Sequence, residues 1–157
     1  MQEEALQRAL RFLGYRPRSE AEVRGYLGRW AYSKVATEKT LEKLRAFNYI
    51  NDEAFARNWA SARATARGYG PRRIHQELQK KGVSDALIRE VMGEIFDPGE
   101  EIEKAKALLE KRFKNKQLGD PKMLRRAAGF LERRGYSSEV IFDLLKHTAT
   151  DDRQKHD

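Results

Sequence analysis

Tyr49-Ile50-Asn51-Asp52-Glu53-Ala54-Phe55-Ala56, running on through Gly70-Pro71-Arg72-Arg73-Ile74-His75-Gln76-Glu77-Leu78 to Lys81-Gly82-Val83, decides the fold. Asn51 or Asp52 supplies a side-chain acceptor for backbone N–H groups that the first turn of a helix leaves unpaired. Phe55, Trp59, Ala62 and Ala66 follow at helical spacing and predict one apolar stripe. Gly68-Tyr69-Gly70 breaks that helix, and Pro71 suits the first position of the next, where its missing N–H costs nothing. Ile74 and Leu78 face inward one turn apart, and Gly82 is placed to take the left-handed conformation that ends the helix. Ser84-Asp85 opens a third helix with Leu87, Ile88 and Val91 on its apolar side. The stretch reads as one module of three short helices.

The flanking sequence reads as two more such modules. On the N-terminal side, Ala5, Leu6, Ala9, Leu10, Phe12 and Leu13 mark an amphipathic helix ending near Gly14. Ser19-Glu20-Ala21-Glu22 is a capping box, because Ser19 and Glu22 reach each other's backbone N–H. Val23 and Leu27 then face inward. A third helix is expected from about Thr37, with Leu41, Leu44 and Phe47 inward. On the C-terminal side, Asp97-Pro98 reads as a cap followed by proline, ahead of an Ile102, Ala105, Leu109, Phe113 stripe. Asp120-Pro121 and Ser137 or Ser138 open two further helices, with Ala127, Leu131, Ile141, Leu144 and Leu145 inward. Val23/Leu27, Ile74/Leu78 and Ala127/Leu131 hold equivalent places; Gly82 matches Gly135, and the first module has no glycine there. A module of this size buries little core alone, so stacking is expected to supply the rest. The expected architecture is all-α: three tandem three-helix modules over 1–50, 51–96 and 97–149, stacked into an elongated, curved row, with a disordered tail over 150–157. Phe12, Phe47, Phe55, Trp59, Phe113 and Phe142 are spaced as core. Tyr26, Trp30, Tyr32, Tyr69 and Tyr136 lie near helix ends, where they would seal junctions.

Composition narrows the chemistry. There is no cysteine, hence no disulfide, thiolate nucleophile or cysteine-bound metal. No secretion signal or apolar span of membrane length is present, so the expectation is a soluble, cytoplasmic protein. The three histidines, His75, His147 and His156, form no metal-ligand pair on one helix. No phosphate loop, dinucleotide fingerprint or nucleophile elbow occurs. Glu100, Glu101 and Glu103 favour the dipole of a helix start rather than acid–base chemistry. The reading is a binding protein: no catalytic residue, no cofactor, no metal.

Charge indicates what it binds. Lys plus Arg number 32 against 24 acidic residues, a net charge of +8. Residues 104–134 hold eleven basic and three acidic residues, and 54–81 hold seven and one. Such one-sign runs attract polyanions. The candidate contacts are Arg63, Arg67, Arg72, Arg73, Lys80 and Lys81 in the middle module. In the last they are Lys104, Lys111 and Lys114, taken to lie opposite the Ile102–Phe113 stripe, with Arg125, Arg126, Arg133 and Arg134.

Arg18-Ser19-Glu20-Ala21-Glu22-Val23 with Leu27, the Tyr49–Ala56 segment, and Gly70-Pro71-Arg72-Arg73-Ile74 with Glu77-Leu78 and Lys81-Gly82 together resemble the RecX family, regulators of the bacterial recombinase RecA. The likeness is good from about Leu10 to Val91 and weaker beyond. Where the family often has glycine before the tyrosine of the second motif, this chain has Asn48, which also tolerates a left-handed turn. The resemblance implies three tandem three-helix units and no enzyme activity or cofactor. It also implies binding along the groove of the RecA–DNA filament, with inhibition of ATP hydrolysis, strand exchange and coprotease activity. A monomer is expected, and the basic faces add single- or double-stranded DNA as a further expected partner. The alternative on charge alone is a basic helical DNA-binding or transcription-regulating protein. A scaffold for another acidic protein is a third reading.

Overall fold

A computed structural model describes residues 2–114 and 118–146. Among these every regular element is helical: α1 (Gln2–Tyr15), α2 (Glu20–Arg29), α3 (Lys34–Ala46), α4 (Asp52–Ala66), α5 (Pro71–Lys80), α6 (Asp85–Ile95), α7 (Glu100–Arg112), α8 (Pro121–Arg134) and α9 over residues 138–146. The predicted tail, 150–157, lies outside the described residues, as do His147 and His156.

Sequence repeat and packing unit do not coincide. The chain divides into two compact units, Met1–Trp59 with Glu77–Arg89 and Ala60–Gln76 with Glu90–Asp157, and the division passes through α4, α5 and α6.

In the first unit, α1, α2 and α3 enclose Ala5, Ala9, Val23, Leu27, Leu41, Leu44 and Ile50. The two alanines of α1 let neighbouring helices approach closely, while Leu6, Leu10, Phe12 and Leu13 line the edge of this core. The capping box on α2 is complete, with Ser19 Oγ accepting from Glu22 N at 3.1 Å and Glu22 Oε1 from Ser19 N at 3.1 Å. The Ser19 hydroxyl also donates to the Lys81 carbonyl at the end of α5. Ser19 is fully buried. Ser19→Ala should therefore cost about 1–2 kcal/mol, losing the cap and leaving a carbonyl unpaired. Urea unfolding of the two proteins measures the difference, and equal midpoints would refute the assignment.

The second unit buries Ala105, Leu109, Leu118, Ala127, Leu131, Tyr136 and Leu144. Asp120 caps α8 through Lys122 N at 3.1 Å, with Pro121 first in the helix. Ser137 Oγ accepts from Val140 N at 3.3 Å at the start of α9. Tyr136 is 2% exposed and its hydroxyl donates to the Gly68 carbonyl at 3.0 Å. Burial, reinforced by the Glu101 carboxylate and opposed by Arg134, pushes its phenol up to about 12.

Several expectations are corrected. The inward stripe of α4 is Phe55, Ala56, Ala60 and Ala64; Ala62 and Ala66 are exposed. In an alanine-rich helix small residues mark both faces, so spacing alone cannot choose between adjacent rows. Asn51, not Asp52, caps α4, accepting from Ala54 N at 3.1 Å, and Asp52 instead accepts from Glu20 N at 2.9 Å, at the start of α2. Helix α3 begins at Lys34 because Ser33 caps it through Ala36 N. Phe47 and Phe142, assigned to the core by spacing, are 74% and 66% exposed. Asp97-Pro98 forms a turn closed by Glu100 N on the Asp97 carbonyl, and α7 starts only after a left-handed Gly99. Lys114 follows the end of α7 and lies on no helix face.

Candidate polyanion interface

Helix ends in the second unit build the site. Helix α8 stops at Gly135, which takes φ +97° and closes a Schellman turn in which Tyr136 N donates to the Leu131 carbonyl. The exposed carbonyl end of α8 then meets the N-terminal end of α5. Gly70 N donates to the Arg134 carbonyl at 2.7 Å and Arg72 N to the Gly135 carbonyl at 2.9 Å. Unpaired donors of one helix thus satisfy unpaired acceptors of the other, and the opposed partial charges attract. The backbones are so close that a Cβ on Gly70 would lie 2.7 Å from the Gly135 carbonyl carbon.

Two arginines clamp this junction. Arg134 Nη1 donates to the Arg67 carbonyl at 2.6 Å, and Arg73 Nη1 to the Arg133 carbonyl at 3.0 Å. The Arg73 guanidinium also lies 3.8 Å from the centroid of the buried Tyr69 ring, a cation–π contact that fixes its plane. Beside the clamp opens a cleft of about 320 Å³ lined by Arg72, Arg73, Gln76, Glu132, Arg133 and Gly135.

The thirteen predicted contact residues divide by environment. Arg67, Arg72, Lys111, Lys114, Arg125, Arg126 and Arg133 are exposed in the second unit, and Lys80 is exposed in the first. Arg63 is half-buried, 5.9 Å from the Tyr69 ring centroid, and Lys104 is half-buried, 5.9 Å from that of Phe96. Arg134 and Arg73 hold the junction. Lys81 is half-buried, 3.4 Å from the Glu22 carboxylate and 5.1 Å from the Trp59 ring centroid, so its charge is already matched. The structure brings Arg72, Arg73 and Arg133 to one cleft and does not bring Arg125, Arg126 or Lys111 into it. Sequence reading passed over Gln76 and Glu132. Their only signal was the i+4 spacing of Gln76 from Arg72 and the adjacency of Glu132 to Arg133. Among the described residues no cluster of His, Asp or Glu is suited to hold a metal, and no helix is long and apolar enough to cross a membrane.

Serial three-helix modules, with charged side chains gathered at helix ends, define the class: an all-α helical-repeat protein. Models of the first, second and third three-helix domains of RecX match residues 5–44, 51–92 and 99–145. The chain belongs to the RecX family of regulatory proteins. Regulatory protein RecX of Mycobacterium sp. (strain JLS) is 33% identical over 98% of this chain and 86% of its own length. That of Corynebacterium efficiens is 37% identical over 96% and 73%. The crystal structure of RecX from Lactobacillus salivarius superposes with a TM-score of 0.81 at 23% identity, covering 94% of this chain and 96% of that one, a likeness of fold. A second crystal structure, of regulatory protein RecX, gives 0.77 at 27% identity, covering 93% and 73%.

Proposed function

We propose that this protein binds the RecA–DNA filament and restrains recombinase, ATPase and coprotease activities. Membership of the RecX family supports the reading, and the observation that carries it is the set of exposed cations on α5, α7 and α8. Helices α5 and α8 present net positive charge not consumed by the core, the form expected of a surface that meets nucleic acid or an acidic protein, while the cations of α7 are balanced by its own glutamates. On this reading the protein acts as a cytoplasmic monomer without cofactor or catalytic residue. Its three modules, 1–50, 51–96 and 97–149, are the pieces that contact the filament.

The test is ATP hydrolysis by RecA on single-stranded DNA, titrated with this protein up to equal stoichiometry. Inhibition well below one per recombinase supports filament regulation. Absence of inhibition at equal stoichiometry, with binding to bare DNA intact, favours the basic DNA-binding reading instead. Charge reversal at Lys111, Arg125 and Arg126 is expected to raise the concentration for half-inhibition about tenfold, as for removing a few exposed ion pairs at about 0.5 kcal/mol each. Unchanged inhibition would make these residues solvating charge only.

A further inference from the structure

The geometry points to the cleft between the start of α5 and the end of α8 as a seat for a phosphodiester group of a nucleic-acid backbone, with Arg72 and Arg133 as the contacting cations. The inference rests on the filament-binding reading and assigns one part of it to DNA rather than to protein.

Lining chemistry carries the argument. Every residue lining the cleft except Gly135 is charged or an amide: three arginines, one glutamate and one glutamine. Apolar ligands need an apolar or aromatic lining, and no such residue lines this cleft. Interfaces with nucleic acid are polar and positive, as this one is. Arginine also suits phosphate, because its planar fork presents paired N–H donors to two oxygens.

The cleft is partly pre-organised. Arg73 is held in place by the Tyr69 ring and the Arg133 carbonyl, with one of its five N–H groups engaged there. It forms a fixed positive wall. The side chains of Arg72 and Arg133 are exposed and belong to neither clamp; Arg133, whose guanidinium lies back over Gly129, swings from α8 to close on a ligand opposite Arg72. Gln76 stands one turn beyond Arg72 on α5 and adds a neutral donor. Glu132 opposes anion binding from the α8 side. Exposed Arg67, Arg125 and Arg126 in the same unit supply further charge of the kind a repeating polyanion can use.

The test is binding of the full chain to a fluorescent oligothymidylate, followed by anisotropy between roughly 50 and 200 mM salt. Each phosphate left unneutralised should lower the log–log salt slope by about 0.7 on single-stranded DNA. Arg72→Ala/Arg133→Ala frees the one phosphate they share and should therefore flatten the slope by about 0.7, with an unchanged circular dichroism spectrum. Glu132→Gln should bind more tightly than the parent, an outcome that a merely structural role for the cleft does not give. Arg125→Ala/Arg126→Ala removes equal charge from the same helix outside the cleft. If it flattens the slope as much, and Glu132→Gln brings no gain, the cleft is no site. The proposal also fails if the parent does not bind the oligonucleotide at all, or if the cleft variant keeps the parent's slope and instead loses binding to DNA-free RecA, which would assign the cleft to acidic protein. A flattened slope with full inhibition of RecA ATPase would uphold the phosphate seat and separate it from the regulatory contact.

Discussion

Gly135→Ala is expected to destabilise the second unit by about 2–5 kcal/mol, combining a left-handed backbone penalty of about 1–2 with an overpacking cost of about 1–3. At φ +97° an alanine is strained before any neighbour is considered. The neighbours then forbid it: a Cβ there would stand 2.3 Å from Arg73 Cβ and 2.5 Å from Arg73 N. The second obstacle is backbone, which cannot rotate aside as a flexible side chain does. Relief requires α5 and α8 to separate, and that breaks the Gly70–Arg134 and Arg72–Gly135 hydrogen bonds together. The measurement is thermal unfolding by circular dichroism. Both tryptophans, Trp30 and Trp59, lie in the first unit, so indole fluorescence is the wrong probe. A variant melting within a degree or two of the parent would show that the helix ends do not depend on this approach.

Glu22→Ala is expected to cost about 2–3 kcal/mol, below the 3–5 typical of a broken, fully buried ion pair because the site is only partly enclosed. The Glu22 side chain is 16% exposed and serves four partners. Arg16 Nη2 donates at 2.6 Å, Ser19 N at 3.1 Å and Lys81 Nζ at 3.4 Å, while Arg18 Nη1 stands at 3.9 Å. Removing the carboxylate leaves three crowded cations and a Ser19 N–H without its acceptor, although the Ser19 hydroxyl still caps α2. Burial pushes the Glu22 carboxyl up, but the hydrogen bonds from Arg16 and Ser19 and the charges of Lys81 and Arg16 outweigh it, and the group titrates below its ordinary value. A depressed carboxyl contributes stability above its unfolded pKa, near 4.3, and loses it as the pH falls through the folded value. Urea midpoints of parent and Glu22→Gln should thus differ at neutral pH and converge in acid. A gap that persists undiminished to about pH 2 would mean the carboxylate charge is not what stabilises the site.

Helix count and order were legible because each start and stop is made by a few adjacent residues. Ser19-Glu22, Pro71, Gly82, Asp120-Pro121 and Gly135 act within one turn, and all stand where local chemistry puts them. The position equivalent to Gly82 in the first module is a further case. Ala31 occupies it and also takes a left-handed conformation, φ +60°. Gly82 cannot be alanine, since its Cβ would strike that of Ala21 at 2.3 Å. Ala31 is exposed, so only the backbone penalty remains there. The glycine reports a helix-end junction, and its absence reports a helix end facing solvent.

Sequence alone determined the all-α class, the three-module order, the second helix of each module as a core element, and the basic character of α5 and α8. These follow from capping, periodicity and composition, which are local. Tertiary structure alone decided which cations are available. Lys81, Arg73 and Arg134 look like Arg72 and Arg133 in the sequence, yet the first three are tied to Glu22, the Arg133 carbonyl and the Arg67 carbonyl. Those partners are 59, 60 and 67 residues away, and no local pattern encodes a contact at that range. The same holds for Asp52, whose carboxylate accepts from Glu20 N at the start of α2 rather than capping its own helix. Whether a charged side chain holds the fold or meets a partner depends on what packing leaves beside it, and only the folded chain contains that information.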